Sequence, residues 1–512
     1  DIMTNTNTEE GPAITQEEVE SSIKRLKNNK SPGPDQIHGE ILKLLGSEQI
    51  QLLTILFNKI YTTGKIPNDW LTSTFIPIPK KNNATKCCEH RIISLMSHPL
   101  KVFLNIIQAR IYKKLDSSIS DTQFGFRKGL GTREALFSIQ VLIQRARDVN
   151  ADVFACFIDF EKAFDKVKHT KLISTLRESG IDERDIKIIT NLYKEQKATI
   201  RINNEVSESF NVRRGVRQGC ILSPLLFNVY SEQLFREALE NTDDGLIING
   251  EIVNNLRYAD DTVLLADSAE GLQRLIDRVV NACNIYEMKL NTKKTHILII
   301  SKNNTHNPQI TANNTVLKIV DSVTYLGCTL NEDWDHSREI KHRIETARAT
   351  FNKMRNVLCN LQLNIKTRIR ILNSYILPTL LYGAEAWTLT DASCKRVDAF
   401  EMWCYRRMLR VSWTHHVSNE TILQRIHEKL NFLTTIKYRK LEYFGHIMRG
   451  EKYRVLQLIL QGKIEGHRTA GRRRISWLRN LRSWTGLTSM ALFRAAVNRV
   501  MWANVIADIH RG

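Results

Sequence analysis

No apolar run in this sequence approaches the roughly 20 residues a membrane-spanning helix requires. The longest, residues 153–158 and 222–229, stop far short. The first residues are polar and acidic, with no basic n-region and no apolar h-region, so no secretory signal is expected. Low-complexity stretches and internal repeats are missing, which sets aside linker-like and solenoid architectures. The nine cysteines contain no C-x2-C pair. Cys394, Cys404, His415 and His416 are the nearest approach to a zinc set, but no such pair anchors them. An odd, irregularly spaced set fits reduced thiols in an intracellular protein. A Rossmann glycine fingerprint is also missing, so strands alternating with helices point to an α+β fold rather than a dinucleotide-binding one.

What is abundant is positive charge. With 74 Lys plus Arg against 54 Asp plus Glu, the net charge is +20. The excess is concentrated: residues 402–484 hold 18 basic residues, 5 Glu and no Asp. A solvated face would mix signs, so this segment is read as a nucleic-acid surface. Its aromatic residues suit stacking on unpaired bases, although most of them are expected to be core in a helical domain.

Along the chain, Thr15 and Glu18 form a capping box for an N-terminal helix. Residues 170–194 read as helix, residues 256–265 as a strand pair, and residues 323–330 as a strand. After Asp335 the pattern is all-helical: Ile340, Ile344, Ala347, Phe351, Met354 and Leu358 make one stripe, with Lys341, Arg343, Arg348 and Arg355 off it.

Two places carry chemistry. The apolar run 153–158 ends in Asp159, as a strand buried on both faces would deliver one acid to a site. Asp260 and Asp261 sit at the tip of the second strand pair. Burying adjacent carboxylates is costly without a cation. Nucleotidyl transfer uses two divalent ions about 3.5–4 Å apart, held by acids on rigid strands. Asp159, Asp260 and Asp261 supply that set.

The surrounding residues carry a resemblance. Phe157-Ile158-Asp159-Phe160-Glu161-Lys162-Ala163-Phe164-Asp165-Lys166-Val167 resembles polymerase motif A of non-LTR (LINE-like) retrotransposon reverse transcriptases. The run from Gly215-Val216-Arg217-Gln218-Gly219-Cys220 to Asn228 resembles their motif B, and Tyr258-Ala259-Asp260-Asp261 their motif C. Residues from about 20 to 335 follow the family closely; Gly445-His446 and residues 462–477 are similar to RTE-type elements. The resemblance implies a right-hand polymerase with fingers, palm and thumb and a helical basic C-terminal extension. Two Mg2+ ions, with Mn2+ as a substitute, would be held by Asp159, Asp260, Asp261 and the backbone of Phe160. Lys80 and Arg91 would clasp the triphosphate, Phe164 would be the steric gate against a ribose 2′-hydroxyl, and Gln218 and Gly219 would pack on the incoming nucleotide. Gly125, Phe126 and Arg127 resemble the template-contacting segment, and Tyr325, Leu326 and Gly327 the primer grip. Arg468, Arg472, Arg473 and Arg474, in a glycine-containing basic stretch, are expected to meet phosphate.

The expected division is an extension before the fingers (1–70), fingers and palm (71–335), a helical thumb (336–395) and a basic nucleic-acid-binding region (396–512). RNA template, DNA primer or target DNA and dNTPs are the expected partners, with no membrane; the resemblance places the work in nucleus and cytoplasm. One departure stands out: the family's Tyr-Arg-Pro-Ile-Ser is here His90-Arg91-Ile92-Ile93-Ser94. No endonuclease acids are visible, and a chain opening on Asp1 reads as a piece of a longer one. An RNA-dependent RNA polymerase, for which Asp165 has a suggestive spacing, and a decayed element that only binds RNA are the alternatives.

Overall fold

A computed structural model of the chain describes residues 11–301, 308–427, 431–466 and 475–511. In chain order, α1 (Gln16–Lys24) and α2 (Ser47–Thr63) precede β1 (Thr72–Pro79) and β2 (His90–Leu95). Next come α3 (His98–Ser118), α4 (Thr132–Asp148), β3 (Val153–Ile158), α5 (His169–Glu178), α6 (Glu183–Lys194), β4 (Lys197–Ile202) and α7 (Ser223–Leu239). The hairpin strands β5 (Asn255–Tyr258) and β6 (Asp261–Ala266) lead to α8 (Ala269–Ile285) and β7 (His296–Ile300). A second hairpin, β8 (Ser322–Tyr325) and β9 (Cys328–Asn331), opens the helical part: α9 (His336–Lys353), α10 (Ile365–Ile371), α11 (Asp391–Met408), α12 (Phe432–Arg449), α13 (Arg454–Gln461), α14 (Trp477–Thr485), α15 (Ser489–Val497) and α16 (Arg499–Arg511).

Several of these follow from local chemistry. The capping box at α1 forms as the sequence predicts, with Thr15 accepting from the Glu18 amide and Val19 and Ile23 buried below it. The expected helix over 170–194 is two, because the chain breaks before Asp182, whose carboxylate caps the amide of Arg184 at the start of α6. The expected strand over 323–330 is a hairpin, since Leu326 and Gly327 both take left-handed backbone angles and turn the chain back.

The chain forms two compact units that interleave in sequence. Of the described residues, the first contains 11–129, 159–242 and 275–291. Its sheet sets β1 between antiparallel β2 and parallel β4. Pro77 and Pro79 lie beyond the stretch paired with β4, so neither removes a ladder bond there. Ile92, where the family usually has Pro, continues the β1–β2 ladder opposite Pro77.

The second unit contains the described residues within 130–158, 243–274 and 292–511. Its five-stranded sheet runs from the short strand Lys318–Ile319 through β7, β3 and β6 to β5. β3 is central, and its residues Val153, Ala155, Cys156, Phe157 and Ile158 are all buried. The interior helix α4 ties this unit together. Its Phe137 meets the rings of Tyr443 and Trp477 edge-on at 5.2 and 4.9 Å, and Gln144 bonds Thr388 and the Trp477 amide. Arg145 holds the carbonyls of Ile459 and Gly462 at the end of α13. Among the described residues no helix is long and apolar enough to cross a membrane.

Candidate active site

The second sheet carries Asp260 and Asp261 at one hairpin turn and ends its central strand one residue before Asp159. Ile158, the last residue of β3, pairs with Thr262, and Asp159 is the next residue of the chain. Tyr258 pairs with Asp261 across a two-residue turn of Ala259 and Asp260. Ala259 has φ +58°, the left-handed setting that glycine fills most cheaply at the first turn position; such strain is typical of functional turns. Asp261 opens β6 and is exposed. The charge of Asp261 reaches two tyrosines of this unit. Burial pushes Tyr258 upward from its ordinary value, and Tyr382 and Asp261 push it further. Tyr325 is pushed far up by burial first and then by Asp261. Past Asp159, Phe160 bridges Leu290: the Asp159 carbonyl accepts from Asn291 and the Glu161 amide donates to Lys289, both at 2.8 Å. That pattern turns the Phe160 carbonyl to the opposite side of the chain. Among the described residues no three His, Cys, Asp or Glu side chains converge closely enough to hold a metal ion. The fit for cations therefore rests on the chemistry of the donors alone: two adjacent carboxylates at the β5–β6 turn and a third one residue past β3.

Motif B is zipped onto motif A within the first unit. Val216 donates to Phe164 O at 2.8 Å and Gly215 to Val167 O at 2.9 Å. Gly215, at φ +85°, lets the backbones approach so closely that an added Cβ would lie 2.9 Å from the Asp165 Cα. Gln218 Nε2 donates to Asp165 Oδ1 at 3.0 Å, and the Ser94 amide donates to Gln218 O at 2.7 Å. The motif B loop is thus held between β2 and the segment after Asp159. Phe164 lies against the buried Phe227 (4.3 Å, 14°) and meets Phe126 edge-on at 6.0 Å. One ring face is packed while the residue stays partly exposed. Phe126 is 46% exposed at φ +58°, a costly conformation for a bulky residue.

The flanking candidates divide. Lys80 and Arg91 share one face of the β1–β2 pair, because Ile78 pairs with Arg91 and the Lys80 amide bonds Glu89 O two residues on. Both are exposed. Gly125 O accepts from the amide of buried Asn228 at 2.7 Å. Arg127 instead faces inward: it pairs with Asp116 at 2.9 Å and bonds Ser120 O at 3.0 Å, so it builds the loop that displays Phe126. Tyr325 is buried, its ring edge-on to Phe157 at 5.5 Å, which leaves Leu326 and Gly327 as the outward part of the expected primer grip. Leu326 at φ +46° costs about 1–2 kcal/mol relative to an ordinary backbone conformation.

Arg343 corrects the expectation of a basic flank on the helix after Asp335. It is only 8% exposed and points into the second hairpin, whereas Lys341 and Arg355 are exposed. Glu339 and Tyr382 were not singled out from the sequence; for Glu339, the arginine four residues on was the only available signal. In the basic C-terminal region Tyr405, Phe432, Tyr443, Phe444, Tyr453 and Trp477 are all buried. Arg468, Arg472, Arg473 and Arg474 lie outside the described residues.

Two adjacent carboxylates at the β5–β6 turn, a third one residue past β3 and a glycine-bearing loop bonded to the segment that follows it are the features of an α+β polymerase of the right-hand class. Residues 78–330 match the family model described as reverse transcriptase (RNA-dependent DNA polymerase). The RNA-directed DNA polymerase from mobile element jockey of Drosophila melanogaster is 23% identical over 82% of this chain and 46% of its own length. The Pol polyprotein of the type-1 retrotransposable element R2 of Nasonia vitripennis is 26% identical over 70% of this chain and 34% of its own. A transposon-derived protein of Caenorhabditis elegans is 30% identical over 46% of this chain and 86% of its own. The chain belongs to the reverse transcriptase family, and its relatives include the non-LTR retrotransposon polymerases of jockey and R2. It spans less than half the length of the jockey and R2 proteins.

Proposed function

We propose that this chain is an RNA-directed DNA polymerase that copies retrotransposon RNA into DNA from a primer at the target site. The observation that supports the reading is that the buried strand β3 ends one residue before Asp159, while β6, its neighbour in the sheet, opens on Asp261 next to Asp260 of the β5–β6 turn. Two Mg2+ ions are the proposed cofactors, with Asp159, Asp260, Asp261 and the Phe160 carbonyl as ligands and Mn2+ as a substitute. Bound there, they would sharpen the primer 3′-hydroxyl as a nucleophile and neutralise the departing pyrophosphate.

The remaining steps belong to the chain's own groups. Lys80 and Arg91 offer cations to the triphosphate from one sheet face. Gln218 and Gly219 form the floor for the incoming dNTP, and Phe164, steadied by Phe227, stands where a ribose 2′-hydroxyl would collide. Phe126 offers a ring to the RNA template from the loop built by Gly125 and Arg127. The Leu326–Gly327 turn holds the primer end. Arg468, Arg472, Arg473 and Arg474 are assigned to RNA or target-DNA phosphates, and residues 336–395 to the thumb. RTE-type membership rests on Gly445-His446 and residues 462–477, and target-primed copying places the work in the nucleus.

The test is extension of a DNA primer on an RNA template with Mg2+ and dNTPs, beside Asp260→Ala. Templated DNA from the unaltered chain, reduced by orders of magnitude in the variant, is expected; the same loss is expected for Asp159→Ala and Asp261→Ala with folding intact. Preference for rNTPs, or full activity of any of these variants, would overturn the reading or remove that residue from it.

A further inference from the structure

The β8–β9 hairpin carries a conformation its own sequence resists. Its two turn residues both sit in the left-handed region, Leu326 at φ +46° and Gly327 at φ +75°. Asn-Gly is the favoured pair for such a turn, and a leucine at the first position persists only where surrounding groups over-determine it. Those groups come from two later segments of the same unit. Tyr382 Oη donates to Leu326 O at 2.7 Å. Arg343 Nη2 donates to the next carbonyl, Gly327 O. Arg343 Nε is in turn held by Glu339 Oε1 at 2.6 Å, while Glu339 Oε2 accepts from the Thr329 amide of β9 at 2.8 Å. The Arg343 guanidinium lies over the Tyr382 ring, 4.6 Å from its centroid.

Burial shows that these contacts are built in. Glu339 is 1% exposed and Arg343 8%, a charged pair placed under a turn where one ion alone would be costly. Gly383, at φ +72°, brings the chain so near the hairpin that an added Cβ would stand 2.9 Å from Cys328 Sγ. The hairpin is fixed to the sheet beside its turn through Tyr325 on Phe157, two residues before Asp159. Both carbonyls of the turn are therefore set by side chains of α9 and of residue 382, while its strand end is set by β3.

We propose that Tyr382, Arg343 and Glu339 are positioning residues for nucleotide addition: they lock the Leu326–Gly327 turn in the shape that presents the primer end to the acids. This rests on the polymerase reading above and on the assignment of that turn to the primer. The device acts through the turn's backbone, so its loss changes the fraction of primer ends correctly aligned rather than the affinity for dNTP.

Tyr382→Phe removes the hydroxyl and keeps the ring under Arg343. At saturating primer–template it should lower kcat about five-fold, the effect of one neutral hydrogen bond, with KM for dNTP and the melting temperature unchanged. Amide hydrogen exchange at residues 322–331 should rise in the same variant. Because glycine adopts the left-handed setting without strain, the effect of Tyr382→Phe should be smaller in a Leu326→Gly background than in the unaltered chain. Tyr375→Phe, at an exposed position with no part in this network, is the control and should leave kcat alone. Wild-type kcat and exchange in Tyr382→Phe would overturn the proposal. So would a lower melting temperature with unchanged kcat per folded molecule, which is a structural role only. An unaltered chain that extends no primer removes the polymerase reading and this role with it, whereas an active chain indifferent to Tyr382→Phe overturns the lock alone.

Discussion

At the residue scale the most informative contact is the one between Gln218 and Asp165. Asp165 follows the proposed gate residue Phe164 and would be a ready acceptor for a ribose 2′-hydroxyl if its carboxylate pointed at the sugar. Its Oδ1 is instead bonded by Gln218 Nε2. This gives a sign to three substitutions. Phe164→Val opens space and should raise rNTP incorporation relative to dNTP by more than it changes dNTP turnover. Gln218→Ala releases the Asp165 carboxylate and should also lower the dNTP preference, by a few-fold. Adding Asp165→Ala to Gln218→Ala should restore that preference, because the freed acceptor is gone. Steady-state kcat/KM for matched dNTP and rNTP pairs on one primed RNA decides it. A double variant no more selective than Gln218→Ala would rule out the carboxylate's part.

At the scale of elements, α6 is seated on α2 through a buried acid. Asp185 is 5% exposed, and burial pushes it up to about 6 against the pull of its hydrogen bond with Tyr61. The folded value lies above the ordinary 3.8, so the folded state holds this proton better than the unfolded one. The stabilisation is complete below pH 3.8 and is lost as pH rises to about 6. Asp185→Asn stays neutral throughout. It should be more stable than the unaltered chain above pH 6, by on the order of 2–3 kcal/mol for a shift of roughly two units, and similar to it near pH 4. Urea midpoints at pH 4.5 and 7.5 check this; an advantage independent of pH would point to repacking instead.

At the scale of the whole molecule, the helices after residue 395 complete a core that starts in α4. Phe137 has Tyr443 and Trp477 as ring neighbours, and Lys440, fully buried, donates to Asn480 Oδ1 at 3.2 Å and lies over the rings of Trp477 and Trp484. A chain ended at residue 395 should expose that face of α4 and lose soluble yield and cooperative melting; a truncated form that melts cooperatively and extends primers would contradict this. A different role, nucleic-acid binding, is proposed for the basic stretch. Neutralising Arg468, Arg472, Arg473 and Arg474 in the full chain should lower the slope of log affinity against log salt by about 0.7–0.9 for each phosphate no longer neutralised. Nucleotide addition on a saturating, pre-bound primer–template should stay nearly unchanged. If the salt slope holds while the chemical step collapses, those arginines serve the active site.

The sequence by itself determined the parts whose chemistry is local. Asp159 at the end of an apolar run, two acids at a hairpin tip, the motif order and the capping box at Thr15 each depend on neighbours within a few residues. For the same reason the α+β class and the segregation of charge were legible. Only the tertiary structure decided which cations are spent on structure. Arg127 and Arg343 read as nucleic-acid contacts in one dimension; in three, Arg127 pairs with Asp116, and Arg343 bonds Glu339 and the Gly327 carbonyl. It also decided that the turn at Leu326 is held by a tyrosine 56 residues later, and that the C-terminal helices share a core with α4. A lone Tyr382 has no periodicity and no motif to mark it. Its role comes from proximity that loops of more than 50 residues bring about, and a side chain's partner across such a distance is set by packing rather than by pattern.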